Sequence, residues 1–596
     1  MHLRGAAAAA LFLAGCGLAA SIAPGGGAEN RCTADTDCPG AVCDRPLAIC
    51  VAPHAAPATV YLRLAYQTPA STLVREVRVA EAGGGSGPAS FVLPAPVAVE
   101  GVVRRPQPDG GGWRPVPATV TFSMPSGIPG LPPEDVTVIS AAEVTGERTF
   151  SAYVVGGLHN VRIEPLGEDA YDLPPIAMAG LGVGEPSPAW LPVDYEAFEP
   201  FRTVEGYVTR IDGQAVPNLS VRAEDPATGR RISSIGSTGP IATTLDGDPP
   251  GSPTPDTGFF RIVLPRDVDT FRLVIAPTRD APHFPTVVLD NLRFADLDID
   301  EDGVVAFDSS RHEQSSVALP PVGRLVLFQG KVEGRGGPGF APVPVPGATL
   351  RFFRRVETDL PDVTASFEQI ATTNPYGSIV HAAADTAAGD GIWLPEGEYA
   401  VTIVAPAVGG YRSAHEPAVL VVAPLEGDPI LRGRLFTLEP RAALNGEVVN
   451  LLGSGSAGSM PLEAILEQAA GGLRNADPAN LNGVVRGRSD SDGGFGLLVE
   501  PGRHTLILRP SESSGFPWRI VRGIVAPDGR TRLALQAPVP LAGAVSAAGS
   551  GGPLPAVAVE AFYLPAGASA AIAVGRAQTD AFGSFTLLLP PRLDTI

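Results

Sequence analysis

Leu541-Ala-Gly543-Ala-Val545 repeats a pattern that occurs four times before it: Val99-Glu-Gly101-Val-Val103, Val204-Glu-Gly206-Tyr-Val208, Phe328-Gln-Gly330-Lys-Val332 and Leu444-Asn-Gly446-Glu-Val448. Apolar residues at every second position read as a half-buried strand. The glycines recur roughly a hundred residues apart. That is far longer than any solenoid period and matches the length of one β-sandwich domain.

The elements that follow each opening keep the same order. A Pro-containing turn leads into an alternating strand, as in Val116-Pro-Ala-Thr-Val-Thr-Phe122, Val216-Pro-Asn-Leu-Ser-Val-Arg-Ala223, Val345-Pro-Gly-Ala-Thr-Leu-Arg-Phe352 and Leu554-Pro-Ala-Val-Ala-Val-Glu-Ala-Phe562. Later comes a second turn and strand: Thr579-Asp-Ala-Phe-Gly-Ser-Phe585, Ser489-Asp-Ser-Asp-Gly-Gly-Phe495 and Thr373-Asn-Pro-Tyr-Gly-Ser-Ile379. In these turns the Asp or Asn closes on its own backbone, glycine supplies positive φ, and the last residue re-enters the core. A strand-turn-strand segment then follows, as in Leu394-Pro-Glu-Gly-Glu-Tyr-Ala-Val-Thr-Ile403 and Val499-Glu-Pro-Gly-Arg-His-Thr-Leu-Ile-Leu508.

This ordered set resembles the carboxypeptidase regulatory-like domain, a transthyretin-like seven-stranded β-sandwich, over residues 98–596. The resemblance implies accessory modules and carries no catalytic residues. The expected fold is all-β: a tandem array of sandwiches at 98–200, 201–323, 324–440, 441–538 and 539–596. The first departs from the pattern, since Thr149-Phe-Ser-Ala-Tyr-Val-Val155 lacks the Asp-x-x-Gly turn. The last is expected to be incomplete. Leu589-Pro-Pro-Arg-Leu-Asp-Thr-Ile596 follows Leu264-Pro-Arg-Asp-Val-Asp-Thr-Phe271 and stops where a core strand begins. The absent strands would leave a hydrophobic gap and open edges, so this unit is expected to be the least stable, with closure as a smaller sandwich and strands donated by a partner as the alternatives. Residues 58–97 hold further strand-like runs, to be placed as a partial sandwich or as partners of the first unit.

Composition agrees with this architecture. The 596 residues are too many for one domain, and 70 glycines with 62 prolines oppose long helices. With 44% hydrophobic residues the chain has apolar material for cores. A net charge of −20 argues against nucleic acid as a partner.

The N-terminus reads as an export signal over residues 1–15, with Arg4 before the apolar stretch Ala6 to Ala14. It ends in Leu13-Ala14-Gly15-Cys16, which resembles a bacterial lipobox. The resemblance implies a diacylglycerol on Cys16, and Gly17 rather than Asp after it implies the outer membrane. An ordinary secretory signal is the competing reading. Residues 16–30 form a Gly- and Ala-rich tether. Lipidation of Cys16 leaves Cys32, Cys38, Cys43 and Cys50 within a module at 31–51. In an oxidising compartment these suit two disulfides, and the C-x2-C spacing of a zinc site is absent. Three connectivities are open. The interleaved pairing of Cys32 with Cys43 and Cys38 with Cys50 is the expectation, although spacing alone does not select it. The run resembles a short Cys-rich module near the start of exported myxobacterial proteins, and weakly the Cys-rich region of Dickkopf proteins.

No catalytic motif is present. The eight histidines are scattered and no G-x-S-x-G elbow or Walker loop occurs. Trp113, Trp190, Trp393 and Trp518 are dispersed, so they read as core or interdomain anchors. One segment suggests a cofactor: Asp298, Asp300 and Asp302, followed by Gly303, resemble the start of a calcium loop. Position twelve is Ser309 rather than Glu, so an acidic solvent-facing turn competes. The leading expectation is a non-enzymatic outer-membrane lipoprotein, lipid-anchored and facing periplasm or cell surface, that serves as a spacer or adhesion scaffold. The alternative is an envelope module that binds a glycan or a protein. A hydrolase with an interdomain site ranks below both.

Overall fold

A computed structural model describes residues 30–596 apart from internal stretches, of which the longest are 80–88, 240–257, 295–303, 308–323 and 382–390. The described residues are strand-rich, and helices are confined to single turns such as Asp169–Asp172.

Sandwich four shows the plan. Its strands are Ala442–Asn450, Pro461–Ala469, Val484–Arg488, Gly494–Val499, Gly502–Leu508, Arg519–Ala526 and Thr531–Leu535. The first strand is the centre of a three-stranded sheet, antiparallel to the fourth and parallel to the seventh. The other four form the facing sheet in the order third, second, fifth, sixth. Sandwiches one, two and three repeat this plan around first strands Pro96–Pro106, Arg202–Tyr207 and Leu325–Gly334. Alternation supplies the cores. In Leu219–Glu224 every second residue is buried, and Leu219, Val221 and Ala223 join one core cluster.

The repeated glycine of the opening pattern is explained by packing. A Cβ on Gly543 would lie 2.5 Å from the ring of Phe585, and one on Gly446 would clash with Phe495. The aromatic residue that closes the later turn therefore needs a glycine opposite it. That turn also forms as its residues dictate. The side-chain oxygen of Asp580 accepts from the backbone N–H groups of Phe582 and Ser584, at 2.8 and 2.9 Å. Asp490 and Asn374 do the same in sandwiches four and three.

Sandwich five differs in origin. Residues 539–596 supply its first four strands: Val539–Ala547, Ala558–Tyr563, Ile572–Gln578 and Ser584–Leu589. The last three come from the other end of the chain, namely Thr59–Gln67, Ala70–Arg78 and Ala89–Leu93. Thr59–Gln67 runs antiparallel to Ala558–Tyr563, and Ala89–Leu93 runs parallel to Val539–Ala547. Two expectations are corrected here. The strands of residues 59–93 neither stand alone nor join a sheet of sandwich one, residues 96 and 97 begin the first strand of that sandwich, and the open edges of 539–596 are filled from within the chain. The reason is register: the four C-terminal strands lack only the fifth to seventh, and 59–93 supplies those three in that order. One core spans both pieces, with Leu62, Leu64 and Phe91 packed among Leu541, Val559 and Leu587.

The five sandwiches close a cycle of contacts. Ile235 N donates to Ala170 O at 2.8 Å between sandwiches two and one. Thr286–Arg293 pairs with Thr364–Thr373, so sandwiches two and three share one continuous sheet. Ser413 and Glu500 join three to four. Ile507, Ile520 and Trp518 of sandwich four pack into the core of five. Five returns to one through Arg63, whose guanidinium donates to Glu134 at 2.7 Å, and through Ala571 N, which donates to Pro129 O at 2.8 Å.

Candidate functional site

Cys16 and the acidic run of Asp298, Asp300 and Asp302 lie outside the described residues. The other four cysteines form disulfides, Cys32 with Cys43 and Cys38 with Cys50. They staple a small hairpin of Val42–Asp44 and Ile49–Val51. Asn30 docks this knot on sandwich four: its amide donates to Cys50 O and Gly515 O, both at 2.8 Å. The sulfurs of Cys32, Cys38 and Cys43 lie within 4.8 Å of one another, a grouping that could ligate a metal as thiolates. As disulfides they offer none.

Two histidines have structural roles. His504 Nε2 donates to the carbonyl of Glu500 at 2.8 Å, and His159 Nε2 to that of Val155 at 2.7 Å. Each fixes the hairpin corner between the fourth and fifth strands. In sandwich three the phenol of Tyr399 takes that place and donates to Pro395 O at 2.8 Å.

Between sandwiches three and four lies a pocket of about 250 Å³, partly open to solvent and lined by Arg412, Ser413, His415, Glu439, Leu473 and Glu500 among others. A hydrolase would need its nucleophile in such a place. Ser413 Oγ, however, donates to the carboxylate of Glu500 at 2.9 Å, while the Ser413 N–H donates to the same carboxylate at 3.0 Å. His415 Nδ1 is engaged by Thr402 Oγ1 at 3.1 Å. The serine therefore addresses a carboxylate rather than an imidazole base. Glu500 and Arg441 are both buried, 3.7 Å apart, and Arg441 donates to Ala407 O at 3.0 Å and Pro406 O at 3.3 Å. Burial pushes the Glu500 carboxyl up, against the bonds from Ser413 and the charge of Arg441. The cluster clamps two domains together. Sequence reasoning passed over it because Ser413, Arg441 and Glu500 belong to no motif.

The tryptophans do not all behave as anchors. Trp518 does: it packs against the core of sandwich five, with the guanidinium of Arg509 4.8 Å over its ring. Trp113 and Trp190 instead belong to one sandwich, the first, and are 40% and 50% exposed. Both lie on the outward face of its three-stranded sheet.

No family model matches the chain, and no curated protein does. Solved structures with partial likeness include the TIE protein of Bacillus anthracis, at 10% identity and a TM-score of 0.16, covering 73% of each chain. The minor pilin GBS52 of Streptococcus agalactiae follows at 11% identity and a TM-score of 0.19, over 35% of this chain and 95% of that one. A streptococcal ancillary pilin matches at 10% identity and a TM-score of 0.19, over 56% and 99%.

Proposed function

We propose that the chain is a non-enzymatic lipoprotein of the outer membrane, held by a diacylglycerol on Cys16, that works as an adhesion scaffold. The observation that carries this reading is the closure of sandwich five by residues 59–93. Closure ties sandwich five to both sandwich four and sandwich one, so the array cannot lengthen domain by domain as an open string would. The knot and Asn30, the first described residue, sit on sandwich four at one point of the cycle. From a tether at that point, the sheets and loops of five domains are presented together to an envelope protein or a glycan. This supports a platform over a linear spacer. The bonding of Ser413 to Glu500 speaks against the interdomain cavity as a hydrolytic site.

The test is Cys16→Ser in the producing cell. It is expected to abolish palmitate labelling, release the protein from the membrane fraction and reduce attachment of cells to surfaces as strongly as deletion does. Unchanged attachment after release would sink the scaffold reading, and unchanged labelling would sink the anchor.

A further inference from the structure

We infer that the outward face of the three-stranded sheet of sandwich one is a binding platform for a neutral polysaccharide. This rests on the adhesion reading and names the chemistry of its ligand. The sheet consists of Phe150–Val155, Pro96–Pro106 and Ala189–Asp194, in that order. Its inward residues, among them Val99, Val103, Phe150, Ala152 and Val193, build the domain core. Parity then sends Ala98, Glu100 and Arg104 of the central strand outward, together with Tyr153 and Trp190 on the edges, while Val102 on the same side is covered by its neighbours and buried. Tyr153 stands opposite Ala98, and Trp190 stands opposite Glu100. With strands about 4.8 Å apart and a rise of about 3.3 Å per residue, the backbone positions that carry the two rings are roughly 12 Å apart across the sheet. The small side chain of Ala98 and the carboxylate of Glu100 lie between them. Tyr153 is 57% exposed. Trp113 extends the face toward the far end of the central strand, where it pairs with Pro106, and the guanidinium of Arg104 lies 4.7 Å over its ring.

Three properties select the ligand. The charges on the face are spent on each other: Arg104 pairs with Asp194, and Arg148 pairs with Glu100. In a chain of net charge −20 this patch is locally neutral, so it offers no field to a charged partner and no complement to a second acidic copy. The exposed rings are separated by polar groups rather than merged into one apolar core, unlike a protein interface. Aromatic rings set apart on one sheet face, with a carboxylate and guanidinium groups between them, match a chain of pyranose rings. The C–H faces of such a chain stack on aromatics and its hydroxyls meet the polar groups. Sister sheets share only part of the feature: sandwich three places Trp393, half-buried, opposite Leu327, the position that matches Tyr153 opposite Ala98. In sandwich two the residue in register with Glu205, the position that matches Glu100, is Ala306 rather than a tryptophan.

The test uses the full mature chain in native gels cast with hydroxyethylcellulose, galactomannan or dextran, with alginate as the anionic control. At least one neutral polymer is expected to retard the protein and to shift its tryptophan fluorescence. Trp190→Ala and Tyr153→Ala should each weaken that retardation about tenfold. Leu498→Ala, on the outer face of sandwich four, should leave it unchanged. Unretarded migration in every neutral gel, retardation by alginate alone, or wild-type binding by the Trp190 and Tyr153 variants would overturn the proposal. So would a sedimentation experiment in which the wild type dimerises and Trp190→Ala does not, since that makes a second copy the occupant. Cells that keep their attachment with Trp190→Ala but lose it with Cys16→Ser would refute the platform and leave the scaffold standing.

Discussion

Arg63 donates to Glu560 at 3.2 Å across 497 positions of sequence. The pair lies on the ladder that joins the beginning of the described chain to its last domain. The ladder makes sandwich five one cooperative unit from two distant pieces. Leu62, fully buried on the same strand, is in register with Ala561. Leu62→Ala should cost about 2–5 kcal/mol, as buried leucines do. The loss should be felt at the opposite end of the sequence. Hydrogen exchange is expected to accelerate across 541–589 as well as 59–93, while 325–438 stays protected. Acceleration confined to 59–93 would show that the C-terminal strands hold without their partner segment.

The glycine of the repeated opening gives a second expectation. Gly543→Ala brings a methyl group against the Phe585 ring, which is itself packed in the core. Overpacking of this kind costs about 1–3 kcal/mol. Phe585→Leu in the same chain should recover part of it, because the smaller side chain vacates the contact. The pair is best measured as a double-mutant cycle in urea. Additive losses would mean that the ring and the glycine are not coupled.

Much of this was legible in the sequence, for a physical reason. Val-x-Gly-x-Val and Asp-x-x-Gly report local geometry, a strand under an aromatic ring and a turn closed by a carboxylate, and both recur with the domain. Sandwich five was half legible. The early end of its contiguous part followed from comparing Leu589–Ile596 with Leu264–Phe271. That Thr59–Gln67 and Ala89–Leu93 are the absent strands did not, because β-pairing between distant segments leaves no local pattern. The exposure of Trp113 and Trp190 was missed likewise. Outward and inward positions of a strand differ only by parity, and parity is fixed by register.

The cysteine module is open to a direct chemical test. A peptide map without reductant should link Cys32 to Cys43 and Cys38 to Cys50. Removing the second bridge by Cys38→Ser with Cys50→Ser should destabilise the module by about 2–4 kcal/mol. The contact of Asn30 with Gly515 should loosen with it, seen as faster exchange at 514–516. The oxidised protein should bind no zinc. Free thiols together with one zinc per chain would replace the disulfide assignment with a metal site.

The last expectation concerns acid. Because a carbonyl only accepts, His504 must carry its proton on Nε2 when it bonds to Glu500 O. Nδ1 is then the site for a second proton, and it is buried without a hydrogen-bond partner. Burial pushes the imidazole below its ordinary value, against the bond to Glu500 O and the nearby charge of Glu467. The unfolded chain therefore takes up a proton near pH 6.5 while the folded one still resists it. Between the unfolded and the lower folded pKa the unfolded state binds more protons, so stability falls as pH drops through that window. Above it the full contribution of the neutral ring is present. Urea unfolding followed at 442–535 should show a lower midpoint at pH 5.5 than at pH 7.5. His504→Tyr should reduce the difference, since Tyr399 fills the same corner of sandwich three with a group that does not titrate there. If the variant keeps the wild-type acid dependence, another group carries it and His504 is only a spacer in the corner.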